Sequence, residues 1–181
     1  VSLPLAGRHN VQNALGAAAA AYAVGIDPAR IAAGLARMRP VKGRLEVKVA
    51  LAGAQLIDDS YNANPSSLDA ALGVLAALSG DRWLVLGDMA ELGAATRDAH
   101  REAGRAARSA GVSRLFAVGQ LTTDAVSEFG SGAEWFVDGD ALAARIAPLL
   151  RADVTVLVKG SRINRLERVV AALVPHAAQG S

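Results

Sequence analysis

From Leu51 to Leu173 the apolar residues alternate between short runs and stretches in which they recur every third or fourth position. The runs Leu51 to Ile57, Trp83 to Leu86, Arg114 to Val118, Glu134 to Val137 and Val154 to Val158 read as strands. Between them lie helical patterns. Pro65 to Leu78 carries Leu68, Ala71, Leu72, Leu75 and Leu78 on one face, and Thr96 to Ala110 is stopped by Gly111. Helices over Thr123 to Phe129 and Asp140 to Leu150 follow, and the last places Leu166, Val169, Val170 and Leu173 at helical spacing. Strand and helix in alternation predict an α/β fold, a Rossmann-like mainly parallel sheet with right-handed crossovers and helices on both faces.

The first forty residues have a different pattern. A helix is expected from near Asn10 through the run Ala17 to Ala21, ending at Val24 and Gly25, because alanine favours helix and glycine stops it. A second short helix has Asp27 as N-cap and Pro28 in the first position, with Ile31, Leu35 and Met38 on one face. Arg39-Pro40-Val41-Lys42-Gly43-Arg44 then combines a proline, a glycine and several cations without periodicity, the marks of a hinge. A domain boundary is placed there, dividing 1–40 from 41–175. Residues 176–181 are expected to form a loose tail. A further strand, Leu45 to Val49, follows the hinge and turns at Gly53.

In such a sheet the polar clusters that follow each strand, at Asp58, Asp88, Gly119, Asp138 and Lys159, converge on one edge, where open α/β sheets bind ligands. The densest is Ile57-Asp-Asp-Ser-Tyr-Asn-Ala-Asn-Pro65, with Asn64 a good N-cap and Pro65 a good first helical residue. A plain loop would need far fewer polar groups, so it reads as a binding or catalytic turn. Other residues leave two readings open. Asn10 and Asn13 share a helical face and could meet a base edge, or Asn10 could simply cap the helix. Arg44 could swing a bidentate charge onto a phosphate as domains close, or be a solvated linker cation. Asp88 and Glu91 could pair for acid-base work or belong to a capped loop. Lys159 and Arg162 could clamp a carboxylate or phosphate.

Composition narrows the classes. With 181 residues, 52% apolar but only 4% aromatic, small residues must fill much of the interior, which suits close helix-on-sheet packing. Nineteen basic against seventeen acidic residues leave a net charge of +2, too little to imply nucleic-acid binding. There is no cysteine, hence no disulfide or thiol chemistry. No apolar stretch is long enough to span a membrane, and the pattern is compatible with a cytoplasmic protein. Lys159-Gly160-Ser161 lacks the glycine-rich turn of a Walker A loop, and no Gly-x-Gly-x-x-Gly occurs. His9, His100 and His176 show neither metal-ligand spacing nor partners, so no metal site is expected. Ser60 has no nucleophile elbow around it. The chain opens at Val1 in mid-pattern, which reads as the C-terminal part of a longer protein.

Five segments in family order, Gly-Arg-His-Asn-Val-Gln-Asn-Ala-Leu (7–15), Lys-Gly-Arg-Leu-Glu (42–46), Asp-Asp-Ser-Tyr-Asn-Ala-Asn-Pro (58–65), Leu-Gly-Asp-Met-Ala-Glu-Leu-Gly (86–93) and Val-Lys-Gly-Ser-Arg (158–162), resemble the Mur ligases. The third and fourth resemble the branch that adds D-alanyl-D-alanine to UDP-N-acetylmuramoyl-tripeptide. The resemblance implies that 1–40 closes a central ATP-binding domain, that 41–175 is a C-terminal Rossmann-like domain, and that the parent is an ATP-dependent, peptide-bond-forming ligase of peptidoglycan synthesis. It implies an acyl phosphate route using ATP and Mg²⁺, with the magnesium ligands and the Walker A loop outside this chain. The fragment alone is then expected to be inactive. By position, Asn13 would contact adenine, Arg44 the ATP phosphates and Asp59 the ribose. Tyr61 and Asn62 would face the cleft, while Lys159, Ser161, Arg162 and, more weakly, Asp88 would lie near the incoming dipeptide. Arg44 and Lys159 are the expected catalytic residues. The alternatives are a nucleotide-binding or docking module without chemistry, and a Mur or folylpolyglutamate-type ligase with a different amine substrate.

Overall fold

The structure is a computed structural model that describes residues 3–5, 7–39 and 41–175, with Arg8 and His9 described by their backbone alone. Pro40 of the expected hinge, the tail 176–181 and His176 lie outside the described residues. Contacts divide the chain into two compact units, Val1–Val41 and Lys42–Ser181.

The first unit is a helical pair. Helix α1 spans Arg8–Ala23 and begins earlier than the expected Asn10, with Gly7 at the N-cap in a positive-φ conformation. The Gly25 amide then bonds the Tyr22 carbonyl at 3.0 Å to close its end. Helix α2, Pro28–Ala36, is capped as its sequence predicts, the Asp27 carboxylate accepting from the amides of Ala29 at 2.8 Å and Arg30 at 3.4 Å. Met38, expected on the face of α2, lies beyond its end and is exposed. Among the described residues of this unit none is buried, and Val11, Leu15, Tyr22, Ile31 and Leu35 line an apolar cleft.

The second unit contains one six-stranded sheet. Its strands are β1 (Glu46–Val49), β2 (Gln55–Asp59), β3 (Asp81–Gly87), β4 (Arg114–Val118), β5 (Ala133–Phe136) and β6 (Val154–Lys159). Their order is β1-β2-β6-β3-β4-β5, with β1 antiparallel to β2 and every other neighbouring pair parallel. The connecting helices are α3 (Pro65–Ala76), α4 (Thr96–Ser109), α5 (Thr122–Phe129), α6 (Gly139–Ile146) and α7 (Glu167–Leu173). The chain moves one way along the sheet through β2, β3, β4 and β5, then reverses to insert β6 between β2 and β3. With right-handed crossovers this reversal puts α6 and α7 on the face opposite α3, α4 and α5. Side-chain alternation agrees. Leu56, Trp83, Val85, Phe116, Val156 and Val158 pack with Leu142, Ile146, Val169 and Leu173 in one core cluster.

The expected strand over Leu51 to Ile57 is corrected. Leu51–Gly53 is a 3-10 turn, and β2 begins only at Gln55 but continues through Asp59. Ala52 and Gly53 both take positive φ, and the Ala50 amide bonds the Ala54 carbonyl at 2.8 Å, so the chain reverses tightly between two antiparallel strands. As a consequence Asp58 and Asp59 belong to the strand end, not to the following loop. The strand after the hinge also starts one residue late, because Leu45 is buried with φ 50 and breaks the extended backbone.

Candidate functional site

The turn after β2 is built from inside. Asp58 is buried, and its Oδ1 accepts from the Ser60 hydroxyl at 2.6 Å and the Ser60 amide at 3.2 Å. The Tyr61 amide bonds the Gly43 carbonyl at 3.0 Å, tying the turn to the post-hinge segment. Gly43 has φ 72, and a Cβ there would meet the Tyr61 nitrogen at 3.1 Å, so this approach requires glycine. Asn64 caps α3 in a reciprocal box with Ser67, and Pro65 occupies the first turn, as the sequence predicts. What remains pointing outward is Tyr61 and Asn62, both exposed.

Asp59 and Lys159 end the neighbouring parallel strands β2 and β6 in direct register. Lys159 Nζ lies 2.5 Å from Asp59 Oδ2 and donates to the Asn62 carbonyl at 3.1 Å. Asp59 Oδ1 accepts from the Leu45 amide at 3.1 Å. The lysine is wholly buried; only 2% of its side chain meets solvent, against 13% for Asp59. A buried ammonium is tolerated only with such partners. Two residues expected to reach different ligands are therefore brought to each other, locking the ends of β2 and β6.

The loop after β3 is held by three side chains, two from the segment after β6 and one from α4. The Asp88 amide bonds Asn164 Oδ1 at 3.2 Å, the Met89 amide bonds His100 Nε2 at 2.9 Å, and the Ala90 amide bonds Ser161 Oγ at 2.8 Å. The Asp88 carbonyl accepts from the Ser161 amide and from Asn164 Nδ2, each at 2.9 Å. Asp88 Oδ1 accepts from the amides of Leu121 at 3.0 Å and Thr122 at 3.1 Å, at the start of α5. Of the two readings of Asp88, the structure shows the capped loop. His100, read from the sequence as lacking partners, is wholly buried and has two, Met89 and the Thr96 carbonyl 2.7 Å from Nδ1. Asn164 is absent from the residues that the sequence marks as candidates. Its one mark there is an amide in an otherwise basic and apolar run after β6.

These ties set the walls of a groove of about 560 Å³ at the carboxyl edge of the sheet. It is lined by Tyr61, Asn62 and Asn64 from the turn after β2, by Ala90, Glu91 and Leu92 from the loop after β3, and by Ser161, Arg162 and Ile163 from the segment after β6. Glu91 is held at φ 64, a backbone region that costs a non-glycine residue about 1–2 kcal/mol. The Arg44 guanidinium lies 4.7 Å from the Tyr61 ring centroid and that of Arg162 5.9 Å from it. Each such contact at an exposed site contributes about 0.5–1 kcal/mol and concentrates positive charge around an exposed aromatic face. Arg44, Tyr61, Asn62, Ser161 and Arg162 thus share one region, while Asp59, Asp88 and Lys159 support it from beneath. Asn13 is exposed on α1 in the other unit. Asn10 falls inside the first turn of α1, so the helix is not capped by it. Among the described residues no group of three or more His, Asp or Glu side chains could hold a metal.

An open α/β sheet carrying a polar, cation-flanked groove at its switch-point edge defines a domain of the doubly wound class, in which this edge is the usual place for a ligand. The model of the Mur ligase, glutamate ligase domain matches residues 43–162, and the chain belongs to that family. It is 48% identical over 176 residues to the UDP-N-acetylmuramoyl-tripeptide--D-alanyl-D-alanine ligase of Escherichia coli (strain K12), covering 96% of this chain and 38% of that protein. With the ligase of the same description from Mycobacterium bovis it shares 38% over 207 residues, all of this chain and 41% of that one. Among solved structures, MurF from Acinetobacter baumannii superposes with a TM-score of 0.85 at 35% identity, covering 94% of this chain and 38% of that chain. The chain spans about two fifths of the length of these relatives.

Proposed function

We propose that this chain forms part of an ATP-dependent ligase that joins D-alanyl-D-alanine to UDP-N-acetylmuramoyl-tripeptide in cytoplasmic peptidoglycan synthesis. The observation that carries the proposal is the grouping of Arg44, Tyr61, Asn62, Ser161 and Arg162 around one groove, in a chain 48% identical to a ligase of that description. In the reaction, phosphoryl transfer from ATP to the tripeptide carboxylate replaces a poor leaving group by a good one. The dipeptide amine then displaces phosphate and loses its proton, giving a peptide bond. This chain contributes positioning and charge. Arg44 lies exposed just beyond the unit boundary, where a planar cation can meet phosphate oxygens. Asn13 offers an amide to the adenine edge, and Asp59, partly exposed, a carboxylate oxygen toward the ribose. Ser161 and Arg162 present a hydroxyl and a guanidinium to the dipeptide carboxylate. Lys159 acts at one remove, through the turn that carries Tyr61 and Asn62. No residue of this chain is assigned to Mg²⁺.

The test is made in the complete, ATP-loaded ligase that contains this chain. Addition of D-alanyl-D-alanine should shift the amide signals of Ser161 and Arg162 more than the L,L dipeptide does. Arg44→Ala should cut turnover by about a hundredfold or more while leaving the fold intact. Equal or absent shifts would remove the dipeptide from the groove, and unchanged turnover would remove Arg44 from the chemistry.

A further inference from the structure

His100 is on α4, away from the groove lining, and its ring is wholly buried. The Thr96 carbonyl beside Nδ1 can only accept and the Met89 amide beside Nε2 can only donate. These partners fix a neutral ring with its proton on Nδ1 and a lone pair on Nε2. That lone pair supplies the middle one of three successive acceptors for the amides of Asp88, Met89 and Ala90. The next residue, Glu91, is the one held at positive φ, and Ala90, Glu91 and Leu92 line the same groove as Tyr61. An amide ladder between a loop and three side chains leaves the loop little freedom. Removing its central rung lets Glu91 relax toward ordinary φ and carries the wall with it.

We infer that His100 is a positioning residue for the groove, its Nε2 lone pair setting the Ala90–Leu92 wall and thereby ligand affinity without touching ligand. This deepens the proposed function and rests on it for the ligand, though not for the bond from the Met89 amide to Nε2.

The experiment compares the full chain with His100→Leu, which keeps bulk and removes the acceptor, and with His100→Gln, whose Oε1 can replace it. Long-range ¹H–¹⁵N spectra of the unaltered chain should show the ring neutral and protonated at Nδ1. In His100→Leu the Met89 and Ala90 amides should exchange about tenfold faster or more, and the Glu91 amide signal should move. His100→Gln should restore both. In the complete ligase, well below the unfolding temperature, His100→Leu should raise KM for D-alanyl-D-alanine about tenfold with a smaller change in kcat, and His100→Gln should recover most of it. Unchanged exchange in His100→Leu, or altered exchange with unchanged KM, overturns the inference. If the unaltered ligase does not use the dipeptide, the proposed function fails, and the exchange pattern with its recovery by glutamine still decides whether His100 sets the wall.

Discussion

Asp59→Ala should be among the most destabilising single changes in the sheet unit. The substitution removes the carboxylate 2.5 Å from Lys159 Nζ and leaves that ammonium with the Asn62 carbonyl, in a side chain only 2% exposed. Breaking a buried ion pair from one side costs about 3–5 kcal/mol, because the stranded charge cannot regain its hydration. The Leu45 amide also loses its acceptor, worth about 1 kcal/mol more. Asp59 is itself 13% exposed, so water entering the vacated space relieves part of this, and a net loss of about 3–4 kcal/mol is expected. Lys159→Met is the informative partner. It removes the buried charge at similar length, and Asp59 retains the Leu45 amide and some solvent, so the loss should be only about 1–2 kcal/mol. In the double variant the methionine no longer needs a partner, and the two effects should fall short of additivity by about 2 kcal/mol. Urea unfolding followed by the fluorescence of the buried Trp83 measures all three. Equal losses from the two single changes, or an Asp59→Ala loss below about 1 kcal/mol, would refute the view that the pair locks β2 to β6.

Further outcomes follow from other contacts. Gly119 has φ 104, and a Cβ there would lie 2.4 Å from the Asp88 carboxylate that binds the α5 amides; Gly119→Ala should cost more than about 2 kcal/mol by urea unfolding. Burial raises the Asp81 pKa, but hydrogen bonds from Ser113 and Arg151 and the charge of Arg151 outweigh it, so the carboxyl titrates below its ordinary 3.8. Its contribution is present above pH 3.8 and lost as pH falls through the lower folded value. The stability gap between the unaltered chain and Asp81→Asn should therefore be open at pH 7 and close in acid. Ser161→Ala leaves the Ala90 amide without its acceptor at 2.8 Å and should cost about 1–2 kcal/mol, with faster exchange at Ala90.

The order of strands and helices was legible because the apolar period changes cleanly between them, and the turn after β2 stood out by its density of polar groups. Strand order was not legible. That β6 inserts between β2 and β3 follows from nothing local, yet it alone brings Lys159 beside Asp59. Gly53 marks the β1–β2 turn, but the start of β2 is illegible because Leu51 is apolar and Ala52 carries no sign that it must take positive φ. The partners of His100 are illegible because charged residues surround it in sequence, although its spacing to Ala103 and Ala107 places all three on the buried face of α4. Asn164 gave no periodic signal at all. Its value lies in reaching both the Asp88 amide and carbonyl across a contact so close that a Cβ on Gly87 would meet its Cγ at 2.7 Å.

Hydrogen bonding within the protein divides the expected site residues into two physical classes. Asp59, Asp88 and Lys159 have their polar atoms engaged by the protein itself, because a polar group withdrawn from water is tolerated only when its bonds are replaced. Arg44, Tyr61, Asn62 and Arg162 remain at the surface, where the cost of meeting a ligand is small and their geometry is set by backbone anchored below. Ser161 joins the classes, with its hydroxyl on the Ala90 amide and its position on the groove wall. The same motif residues should therefore respond differently to substitution. Changes at the set engaged by the protein itself should act first on stability and on loop order, and reach ligand affinity through the displaced wall. Changes at the exposed set should weaken ligand binding while the unfolding transition stays in place. A rigid floor beneath an exposed, cation-rich rim suits a site whose task is orientation, since small displacements of oriented groups change reaction rates far more than they change folding.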